Sequence, residues 1–494
     1  MLAVVVSRAD AASTHIRDHL LEVTEWTEHT DSTRPDGEGG GTVYRTTAAD
    51  DTNRPTRDDR PVVELREFDP LHLEIAGAAD AFGAVDDGPT RVVELLVFAS
   101  RHSGETGRLL TAHHTGNVGD AEFGGEDRSL ARACPNAHGR VLDALAEHAP
   151  DEYEVGTECT HHGPSSVGAP SMFVEVGSGR PQWDDPDAAR AVAQAILDLR
   201  GVAPDAPRED GSRRHLVGLG GGHYAPRFER IARETDWAVG HVAADWALEA
   251  MGDPADSEDV LEAAFAESAA RRAVVDGDHP DVVAAVADLG YEVVSETWVR
   301  ETTGVPLPLV EALEAAVATV GDGLRFGEPA RSDGPARDGS DETASPADRD
   351  ADRPPDFEVV TLPAELLAEA RGIDREATRD AVEGATLAFE TDQSGTRVRG
   401  RAAVTGEDSF DALVDDLAAI LAASYDRVER TDGAVVAREE AFDPERAREL
   451  GVPEGPKFGR LSAGSAVEVD GETVAPEDVH VERERRFPIP AGGE

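Results

Sequence analysis

Residues 91–99 form the apolar run that most limits how this chain can fold, with the sequence Arg-Val-Val-Glu-Leu-Leu-Val-Phe-Ala. A run that is apolar at almost every position is typical of a strand covered on both faces. Further strands are predicted within residues 1–29 and at 62–75, 109–113, 153–160, 171–176 and 214–219. Amphipathic helices are predicted within residues 1–29 and at 129–148, 186–200, 226–235 and 241–251. Their alternation predicts an α/β fold, a three-layer α/β/α domain around a mixed sheet.

The chain has 494 residues, enough for two or three domains with separate cores. We predict one α/β domain over residues 1–328, with a polar, acidic insertion at 30–61 that contains a short strand near 42–45. Residues 329–356 are rich in Ser, Asp, Arg, Pro and Gly and lack apolar periodicity, which predicts a disordered linker. Strand and helix signals return over residues 357–494 and predict a small C-terminal α+β domain.

The charge of the chain is strongly negative, with 100 Asp and Glu against 47 Lys and Arg and a formal net charge of −53. Lys457 is the only lysine. Such a surface suits a halophilic cytoplasm, because molar salt shortens the Debye length to about 3 Å and screens self-repulsion. The alternative is an acidic protein that avoids nucleic acid. Under the halophilic interpretation, the net charge says little about partners.

Secretion and membrane insertion are not expected from this sequence. No run approaches the ~20 apolar residues of a membrane span, and the first ten residues lack the basic n-region of a signal peptide. Two cysteines, Cys134 and Cys159, fit a reducing compartment and cannot form a four-cysteine zinc site. We therefore expect a cytoplasmic protein with no membrane contact.

Histidines concentrate in the first half of the chain, where 14 of the 16 lie at or before His241. Several occur in Gly-, Ser-, Thr- and Pro-rich segments at predicted strand ends: Phe98-Ala-Ser-Arg-His-Ser-Gly104, Leu110-Thr-Ala-His-His-Thr-Gly-Asn117, Glu158-Cys-Thr-His-His-Gly-Pro164 and Gly218-Leu-Gly-Gly-Gly-His-Tyr-Ala-Pro-Arg227. Ligands of open α/β sheets bind beyond the strand ends, so these segments can converge on one pocket. Imidazole is the commonest metal ligand and the physiological general base.

Strand geometry limits which histidines could act together. Two consecutive residues of a strand point to opposite faces, so one of His113 and His114 would reach the pocket, and one of His161 and His162. A hairpin of residues 91–102 and 108–114 would hold His102 on the order of 16 Å from His113, too far to share a metal. A metal site would then combine one histidine of each pair with His223 and Glu158. No spacing here matches a zinc motif such as H-E-x-x-H.

The glycine run Gly220, Gly221 and Gly222 allows two interpretations. It could be only a tight turn. Alternatively, its backbone N–H groups and the following helix N-terminus could bind a phosphate or carboxylate, with Arg227 as an additional donor.

Together the four histidine segments resemble the D-aminoacyl-tRNA deacylases of the archaeal and plant type, in the same order and across most of residues 1–250. The resemblance implies a fold similar to the phosphorylase/peptidyl-tRNA hydrolase-like group. It also implies hydrolysis of the ester between a D-amino acid and the tRNA 3′ end, which frees both, and dependence on zinc. The acidic insertion and the long linker depart from the family pattern.

On this basis we predict the roles of individual residues. Zinc ligands would be His113, His161, His223 and Glu158, and catalytic residues would be His102, His114 and His162. Substrate-binding residues would be Arg101, Asn117, Gly220, Gly221, Gly222, Tyr224 and Arg227. The partner would be the aminoacylated 3′ end of tRNA, and we expect a monomer.

Arginines beside the same segments suggest a locally positive mouth on a negative body, formed by Arg101, Arg108, Arg213, Arg214 and Arg227. They could equally be paired with carboxylates on the surface. A second resemblance covers residues 447–461 and 467–471, which are similar to a segment of tRNA 3′-processing nucleases of the metallo-β-lactamase class. That segment would contact a tRNA end or serve packing.

Other functions remain open at this point. The fold group also contains metallo-aminopeptidases and nucleoside phosphorylases, and a non-catalytic module that binds tRNA ends or metal is a further alternative. Side-by-side assays of ester, peptide and nucleoside substrates would separate the enzymes, and binding without turnover would indicate the module.

Overall fold

The computed structural model describes residues 1–46, 61–209, 212–331 and 355–490. The chain divides into two compact units, a first unit over Met1–Thr303 and a second unit over Gly304–Glu494. Residues 332–354 of the predicted disordered linker and residues 47–60 of the predicted acidic insertion lie outside the described residues. Across the described ranges, none of the helices combines the length and apolar character that a membrane crossing demands.

The first unit contains two main sheets, and helices pack on both of them. Its described strands are β1 (Leu2–Ser7), β2 (Trp26–Asp31), β3 (Gly41–Thr46), β4 (Val63–Phe68), β5 (Leu95–Arg101), β6 (Leu109–His114), β7 (Glu154–Thr157), β8 (Ser171–Gly177), β9 (Arg208–Glu209), β10 (Ser212–Arg213), β11 (His215–Gly220), β12 (Ala238–Ala243), β13 (Arg272–Asp276) and β14 (Glu292–Val293). Its described helices are α1 (Ala11–Val23), α2 (Pro135–His148), α3 (Arg180–Trp183), α4 (Pro186–Asp198), α5 (Pro226–Glu234), α6 (Asp245–Met251), α7 (Glu258–Ser268), α8 (Pro280–Asp288) and α9 (Glu296–Thr302).

The larger sheet has eight strands in the order β2-β3-β4-β1-β5-β8-β6-β7. It is mixed, because β1 pairs in parallel with β4 and β5, whereas β6 runs antiparallel to β8. Residues 95–99 of the apolar run lie in β5, which is central and almost fully buried, as the sequence predicts, whereas residues 91–94 precede the strand and Val92 is 79% exposed. Helices α1, α2 and α4 pack against strands β5, β6 and β8.

The smaller sheet is parallel and has the order β12-β11-β13-β14. The segment after β7 connects it to the larger sheet. The Cys159 N–H donates to the His223 carbonyl oxygen at 2.9 Å, and the Thr160 N–H donates to the Val242 carbonyl oxygen at 2.8 Å. The carboxyl ends of strands from both sheets therefore approach one another at residues 158–160.

Several predicted elements of the first unit are wrong in detail. The predicted helix at 241–251 is strand β12 followed by α6, and β2 is a strand that was not predicted at the end of residues 1–29, whereas the short strand predicted near 42–45 is confirmed as β3. Strand β7 ends at Thr157, so residues 158–162 are not in a strand. The predicted hairpin of β5 and β6 is also wrong, because β8 lies between them and pairs with both. Long-range pairing of this kind leaves no local mark in the sequence.

The second unit combines helices with antiparallel strands. Its described strands are β15 (Leu324–Phe326), β16 (Glu358–Thr361), β17 (Ala388–Asp392), β18 (Arg397–Val404), β19 (Arg427–Thr431), β20 (Ala434–Phe442), β21 (Val467–Val469), β22 (Glu472–Val474) and β23 (His480–Pro488). Its described helices are α10 (Leu307–Ala316), α11 (Ala364–Ile373), α12 (Arg375–Ala385), α13 (Glu407–Leu421), α14 (Pro444–Glu449), α15 (Pro456–Ser462) and α16 (Pro476–Val479).

The structure divides the chain earlier than the predicted boundary at residue 328. Strand β15 pairs antiparallel with β17, so residues 304–331 belong to the second unit. In the sequence, the apolar pattern of α10 resembles that of the helices before it, so the sequence predicts α10 as part of the α/β domain. The pairing of β15 with β17 is what places residues 304–331 in the second unit. Residues 447–461 bury Ala447 and Leu461 in a small apolar cluster with β21 and β22, which favours the packing interpretation of this segment.

Candidate active site

The four histidine segments come together in the first unit at the carboxyl ends of β5, β6, β7 and β11. We use the term histidine cluster for the five imidazoles found there, which are those of His102, His113, His161, His162 and His223. The His161 ring centroid lies 4.6 Å from that of His113 and 4.5 Å from that of His223. Imidazoles separated by up to 121 positions in the sequence therefore share one site.

Glu158 lies at the centre of this cluster and is fully buried. Its Oε2 accepts a hydrogen bond from His223 Nε2 at 2.9 Å, and its Oε1 lies 3.2 Å from His102 Nδ1. Burial alone would raise the pKa of this carboxyl, but the His102 and His223 imidazoles outweigh burial and hold it well below its usual range. Glu158 is therefore an ionised carboxylate at neutral pH.

A second buried carboxyl, that of Glu175 in β8, was not predicted. Its Oε2 lies 3.8 Å from His102 Nδ1, and its Oε1 lies 3.9 Å from His113 Nε2. Burial and the negative charge of Glu158 raise its pKa well above the usual range. The only sequence signal was an acidic residue inside an otherwise apolar strand. Two neighbouring carboxyls with pKa values driven apart are typical of sites that move protons.

Two ring nitrogens of the cluster are fixed by backbone carbonyl oxygens. His113 Nδ1 donates to the His114 carbonyl oxygen at 2.9 Å, and His161 Nδ1 donates to the Cys159 carbonyl oxygen at 2.8 Å. Each Nε2 therefore carries a lone pair. The Nε2 of His113 is buried and has no hydrogen-bond partner within the described part of the chain. This orientation is how proteins prepare imidazole for a metal ion.

The side chains present fit a metal ion. Ligand atoms of His113, His161 and His162 lie within 4.8 Å of one another, as do those of Cys159, His161 and His223. Burial lowers the pKa of His113 to about 3, and the pKa values of His161 and His162 are also lowered, chiefly by burial. All three rings are therefore neutral, which is the form that binds metal.

The side chains of His223 and Cys159 already have hydrogen-bond partners within the protein. Because His223 Nε2 donates to Glu158, its Nδ1 can accept from the Cys159 thiol, whose Sγ is 3.5 Å away. Burial raises the pKa of that thiol to about 12, so it keeps its proton. In this arrangement the first metal-ligand group, His113 with His161 and His162, has the more available lone pairs.

Aromatic side chains form the open side of the site. The Tyr224 hydroxyl lies 3.0 Å from His102 Nε2, and the residue is 37% exposed. Trp246, which was not predicted, is 46% exposed and its ring is stacked on His223 at 6.5 Å. Burial raises the pKa of Tyr224, so the phenol stays protonated and can donate a hydrogen bond.

The predicted positive mouth is mostly wrong. Arg108 pairs with Glu152, Arg213 with Asp205, Arg214 with Glu209 and Arg227 with Asp276. Arg101 is the exception, since its guanidinium lies over the Trp183 ring at 5.2 Å and forms no ion pair with any residue that the structure describes. Trp183 in turn donates from Nε1 to the His102 carbonyl oxygen.

Two predicted site residues lie elsewhere. His114 points to the opposite face of β6 from His113, where its Nδ1 lies 3.0 Å from the Gly240 carbonyl oxygen and its ring contacts His138. The opposite-face expectation is therefore confirmed for this pair, and a catalytic role for His114 loses its basis. For His161 and His162 the same expectation is wrong, because both rings contact His113 and neither residue is in a strand.

Asn117 does not reach the cluster with its amide group. Its Nδ2 donates to the carbonyl oxygens of Gly124 and Glu126, so the side chain closes the loop between β6 and α2. These hydrogen bonds assign Asn117 a structural role in the loop instead of the predicted contact with substrate.

The glycine run is a tight turn rather than an anion site. Gly220 and Gly221 have φ values of +90° and +81°, and a Cβ on Gly220 would lie 2.1 Å from the Asp276 carbonyl oxygen. The Gly221 N–H donates to Asp245 Oδ1 at 2.7 Å. This N–H is already occupied by the Asp245 carboxylate, and the Asp276 carboxylate lies beside Gly221. Both negative charges disfavour the binding of a further anion at this turn. A Cβ at Gly222 would meet no described atom within 4 Å, so steric contact does not require glycine there.

Comparison with known proteins agrees with this placement. The family model described as D-aminoacyl-tRNA deacylase matches residues 90–294, which contain the whole histidine cluster. A D-aminoacyl-tRNA deacylase of Haloarcula marismortui is 53% identical over 493 residues, which cover 99% of this chain and 100% of the relative. The chain belongs to the D-aminoacyl-tRNA deacylase family.

Other relatives of this family support the same assignment. The D-aminoacyl-tRNA deacylase of Halorubrum lacusprofundi is 52% identical over 511 residues, with 99% of this chain and 97% of the relative covered. The halophilic interpretation of the composition agrees with the sources of these relatives. A crystal structure of a conserved protein of unknown function matches at a TM-score of 0.50 and 30% identity, covering 61% of this chain and 98% of that protein.

Proposed function

We propose that this deacylase hydrolyses the ester bond of D-aminoacyl-tRNA at the histidine cluster and releases the free D-amino acid and tRNA. The observation that carries the proposal is the convergence of five imidazoles around an ionised Glu158, within the residues that match the family model. No observation favours an aminopeptidase, a phosphorylase or a non-catalytic binding module.

Ester hydrolysis makes three demands on the site. A water molecule must be oriented, a base must accept its proton, and donors must stabilise the oxyanion of the tetrahedral intermediate. The aminoacyl ester is already activated, so protonation of the leaving 3′ oxygen is the remaining task. Each demand can be assigned to a group of this chain.

His102 is the proposed base. Its Nδ1 faces the Glu158 carboxylate, which orients the ring, and its Nε2 faces the open side beside Tyr224. The Nε2 atom would take the proton of the attacking water and return it to the 3′ oxygen of the leaving tRNA. This is the carboxylate–histidine pairing that activates nucleophiles in many hydrolases.

Tyr224 is the proposed oxyanion donor. Its hydroxyl keeps its proton because burial raises the pKa, and it lies at the mouth within reach of the His102 ring. Without substrate the Tyr224 O–H donates to His102 Nε2; with substrate bound it would donate to the carbonyl oxygen instead, which leaves the Nε2 lone pair free for the proton of the attacking water.

Zinc is part of the proposal. His113, His161 and His162 would hold it, which differs from the predicted set by replacing His223 and Glu158 with His162. A zinc ion lowers the pKa of bound water to about 7 and polarises carbonyl groups. The unpartnered, buried Nε2 of His113 supports this assignment.

Substrate contacts are assigned to Arg101 and to the aromatic rim. The Arg101 guanidinium, which forms no ion pair within the described chain, would contact a phosphate near the tRNA 3′ end. Trp246 presents an exposed ring on which the terminal adenine could stack, a contact that proteins commonly use for unpaired bases.

The proposal also includes the finer statements about fold and cellular context. We propose a three-layer α/β/α arrangement similar to the phosphorylase/peptidyl-tRNA hydrolase-like group, supported by the mixed eight-stranded sheet with helices packed on it. A cytoplasmic monomer is proposed as well. The two free cysteines support a reducing compartment.

The test is deacylation of tRNA charged in parallel with the D and L forms of one amino acid, in molar salt. Wild-type protein should release the D-amino acid and leave the L-amino acid attached. His102→Ala should slow release by about 10²–10⁴-fold, the usual contribution of a general base. His148→Ala, a histidine outside the cluster, is the matched control and should keep full activity. Full activity in His102→Ala would refute the assigned base.

A further inference from the structure

The second unit contains a cavity of about 730 Å³ that the reaction at the histidine cluster does not use. It lies between helices α11 and α12 and strand β18, and all of its lining residues are among those the structure describes. We call it the arginine cavity, because five of its lining residues are arginines, namely Arg371, Arg375, Arg379, Arg397 and Arg399.

The charge of the arginine cavity is opposite to that of the chain. Only two acidic residues, Asp374 and Glu376, line it beside the five arginines, whereas the whole chain has 100 acidic and 47 basic residues. The Asp374 carboxylate also accepts a hydrogen bond from the Ala377 N–H at the start of α12, so it is partly neutralised. The cavity is therefore locally positive on a strongly negative protein.

The arginine side chains are available to an external anion. Arg371 and Arg375 form no ion pair with any part of the chain that the structure describes. Arg397 and Arg399 are 43% and 53% exposed, and they share one carboxylate, that of Asp392, at 3.9 and 3.8 Å. Arg379 alone has a close partner, Glu383. Arg371 and Arg375 are thus available to an external anion, and Asp392 holds Arg397 and Arg399 only at 3.9 and 3.8 Å.

The arrangement suits an extended anion better than a single one. Arg397 and Arg399 alternate along β18, so they project from one face at a spacing on the order of 7 Å. Arg375 and Arg379 are one helical turn apart on α12 and form a second row. Leu367 and Val398 add apolar surface to the lining, and Val398 points to the opposite face of β18 from the two arginines, towards the core.

We propose that the arginine cavity binds the sugar–phosphate backbone of the tRNA substrate, an inference that rests on the proposed function. The planar guanidinium group pairs with phosphate through two parallel hydrogen bonds. An acidic peptide is disfavoured because this chain offers 100 carboxylates of its own, yet Arg371 and Arg375 form no ion pair with those in the described ranges. The second unit would thus supply substrate affinity, at residues outside those matched by the family model.

The test compares two triple variants of the full chain in molar salt. The cavity variant carries Arg375→Gln, Arg397→Gln and Arg399→Gln. The control variant carries Arg427→Gln, Arg448→Gln and Arg486→Gln, which are exposed arginines of the same unit with the same total change of charge. Binding of uncharged tRNA and the KM and kcat for D-aminoacyl-tRNA and for D-aminoacyl-adenosine are measured for both.

The cavity variant should bind uncharged tRNA at least tenfold more weakly than the control, and its KM for D-aminoacyl-tRNA should rise by a similar factor at unchanged kcat. Its kinetics with D-aminoacyl-adenosine, which has no tRNA body, should match the control. The slope of log affinity against log salt should become shallower by about two to three, because two or three phosphates would no longer pair with arginine.

Equal tRNA affinity of the two variants would overturn the inference. If the cavity variant also lost binding to a polyglutamate peptide selectively, the cavity would be assigned to an acidic peptide instead. Failure of the proposed function would look different. In that case wild-type protein would not release the amino acid from either substrate, while the binding comparison with uncharged tRNA would still decide the role of the cavity.

Discussion

The two units of this protein handle charged groups in opposite ways. The first unit contains 15 of the 16 histidines and buries the cluster in which Glu158 and Glu175 lie side by side. The second unit contains only one histidine, His480, and has five of its arginines in the lining of an open cavity. Burial shifts pKa values and fixes ring orientations, which proton transfer requires. Contact with a polyanion requires only exposed charge, and exposed guanidinium groups supply it.

This contrast also explains how an acidic protein can act on tRNA. A uniformly negative surface would repel the phosphate backbone, but molar salt screens that repulsion beyond about 3 Å. Recognition then depends on close contacts, such as those available at Arg101 and at the arginine cavity. The predictions below test the contrast, beginning with the largest expected effect.

The largest effect is expected for Glu158→Gln in the first unit. The amide keeps the shape of the side chain but has no negative charge to orient and stabilise the His102 ring. Single-turnover deacylation should slow by about 10²–10⁴-fold, with KM for D-aminoacyl-tRNA nearly unchanged. Glu152→Gln, an exposed glutamate paired with Arg108, is the control. A Glu158→Gln rate within threefold of the control would contradict the account.

Metal should stabilise the first unit and leave the second unit unchanged. If His113, His161 and His162 hold zinc, zinc at 100 to 1,000 times its Kd adds about 3–4 kcal/mol to the free energy of unfolding. Calorimetry with zinc and with chelator should therefore show one transition that shifts. The shift should be absent in His113→Ala. An identical melting profile with and without chelator would rule out the zinc assignment.

Acid should also destabilise the first unit selectively. Burial lowers the pKa of His72 to about 3 and that of His215 to about 4, so both rings are neutral when folded. Below pH 6.5 the unfolded chain binds more protons than the folded one, so the free energy of unfolding falls as pH falls. Each ring should contribute a loss of about 1–2 kcal/mol between pH 6.5 and 5.

Denaturant unfolding at these two pH values, in molar salt, measures that loss. His72→Leu should reduce it by the share of one histidine, because the change removes one titrating group while an apolar side chain keeps the contact with Phe98 and Phe173, which the imidazole meets edge-on. A loss of the same size in the second unit, which has no buried histidine among its described residues, would show that another group is responsible.

The smallest effect is expected for Asp392→Asn in the second unit. This change removes the one carboxylate that Arg397 and Arg399 share and leaves both guanidinium groups in place. Affinity for uncharged tRNA should rise by about two- to fivefold, consistent with the modest strength of exposed ion pairs. Asp432→Asn, an exposed aspartate of the same unit, gives the control for net charge. Unchanged affinity would weaken the case for these two arginines.

The sequence predicted the convergence of the histidine segments but not the arrangement within the site. The apolar run at 91–99 indicated a central strand, and β5 is that strand. The insertion of β8 between β5 and β6 brought His102 to His113 through Glu175, which a local hairpin could not predict. The pairing of four mouth arginines with carboxylates likewise depends on contacts between distant segments.

The glycine run shows the same limit. Its composition allowed both an anion site and a tight turn, and the choice depended on Asp245, which lies 24 positions away from Gly221. Glu175 was missed because a single acidic residue in an apolar strand has no pattern around it. Residue type and order therefore predicted which segments act together, while tertiary contacts decided which side chains of each segment take part.

The central claim is that the ester is cleaved at His102 and Tyr224 within the histidine cluster. A crystal structure of the protein with an unreactive amide analogue of D-aminoacyl-adenosine tests it most directly. The account predicts the amide carbonyl oxygen about 3 Å from the Tyr224 hydroxyl, with His102 Nε2 facing the carbonyl carbon. An analogue bound away from the cluster, with neither residue in contact with its carbonyl group, would contradict it.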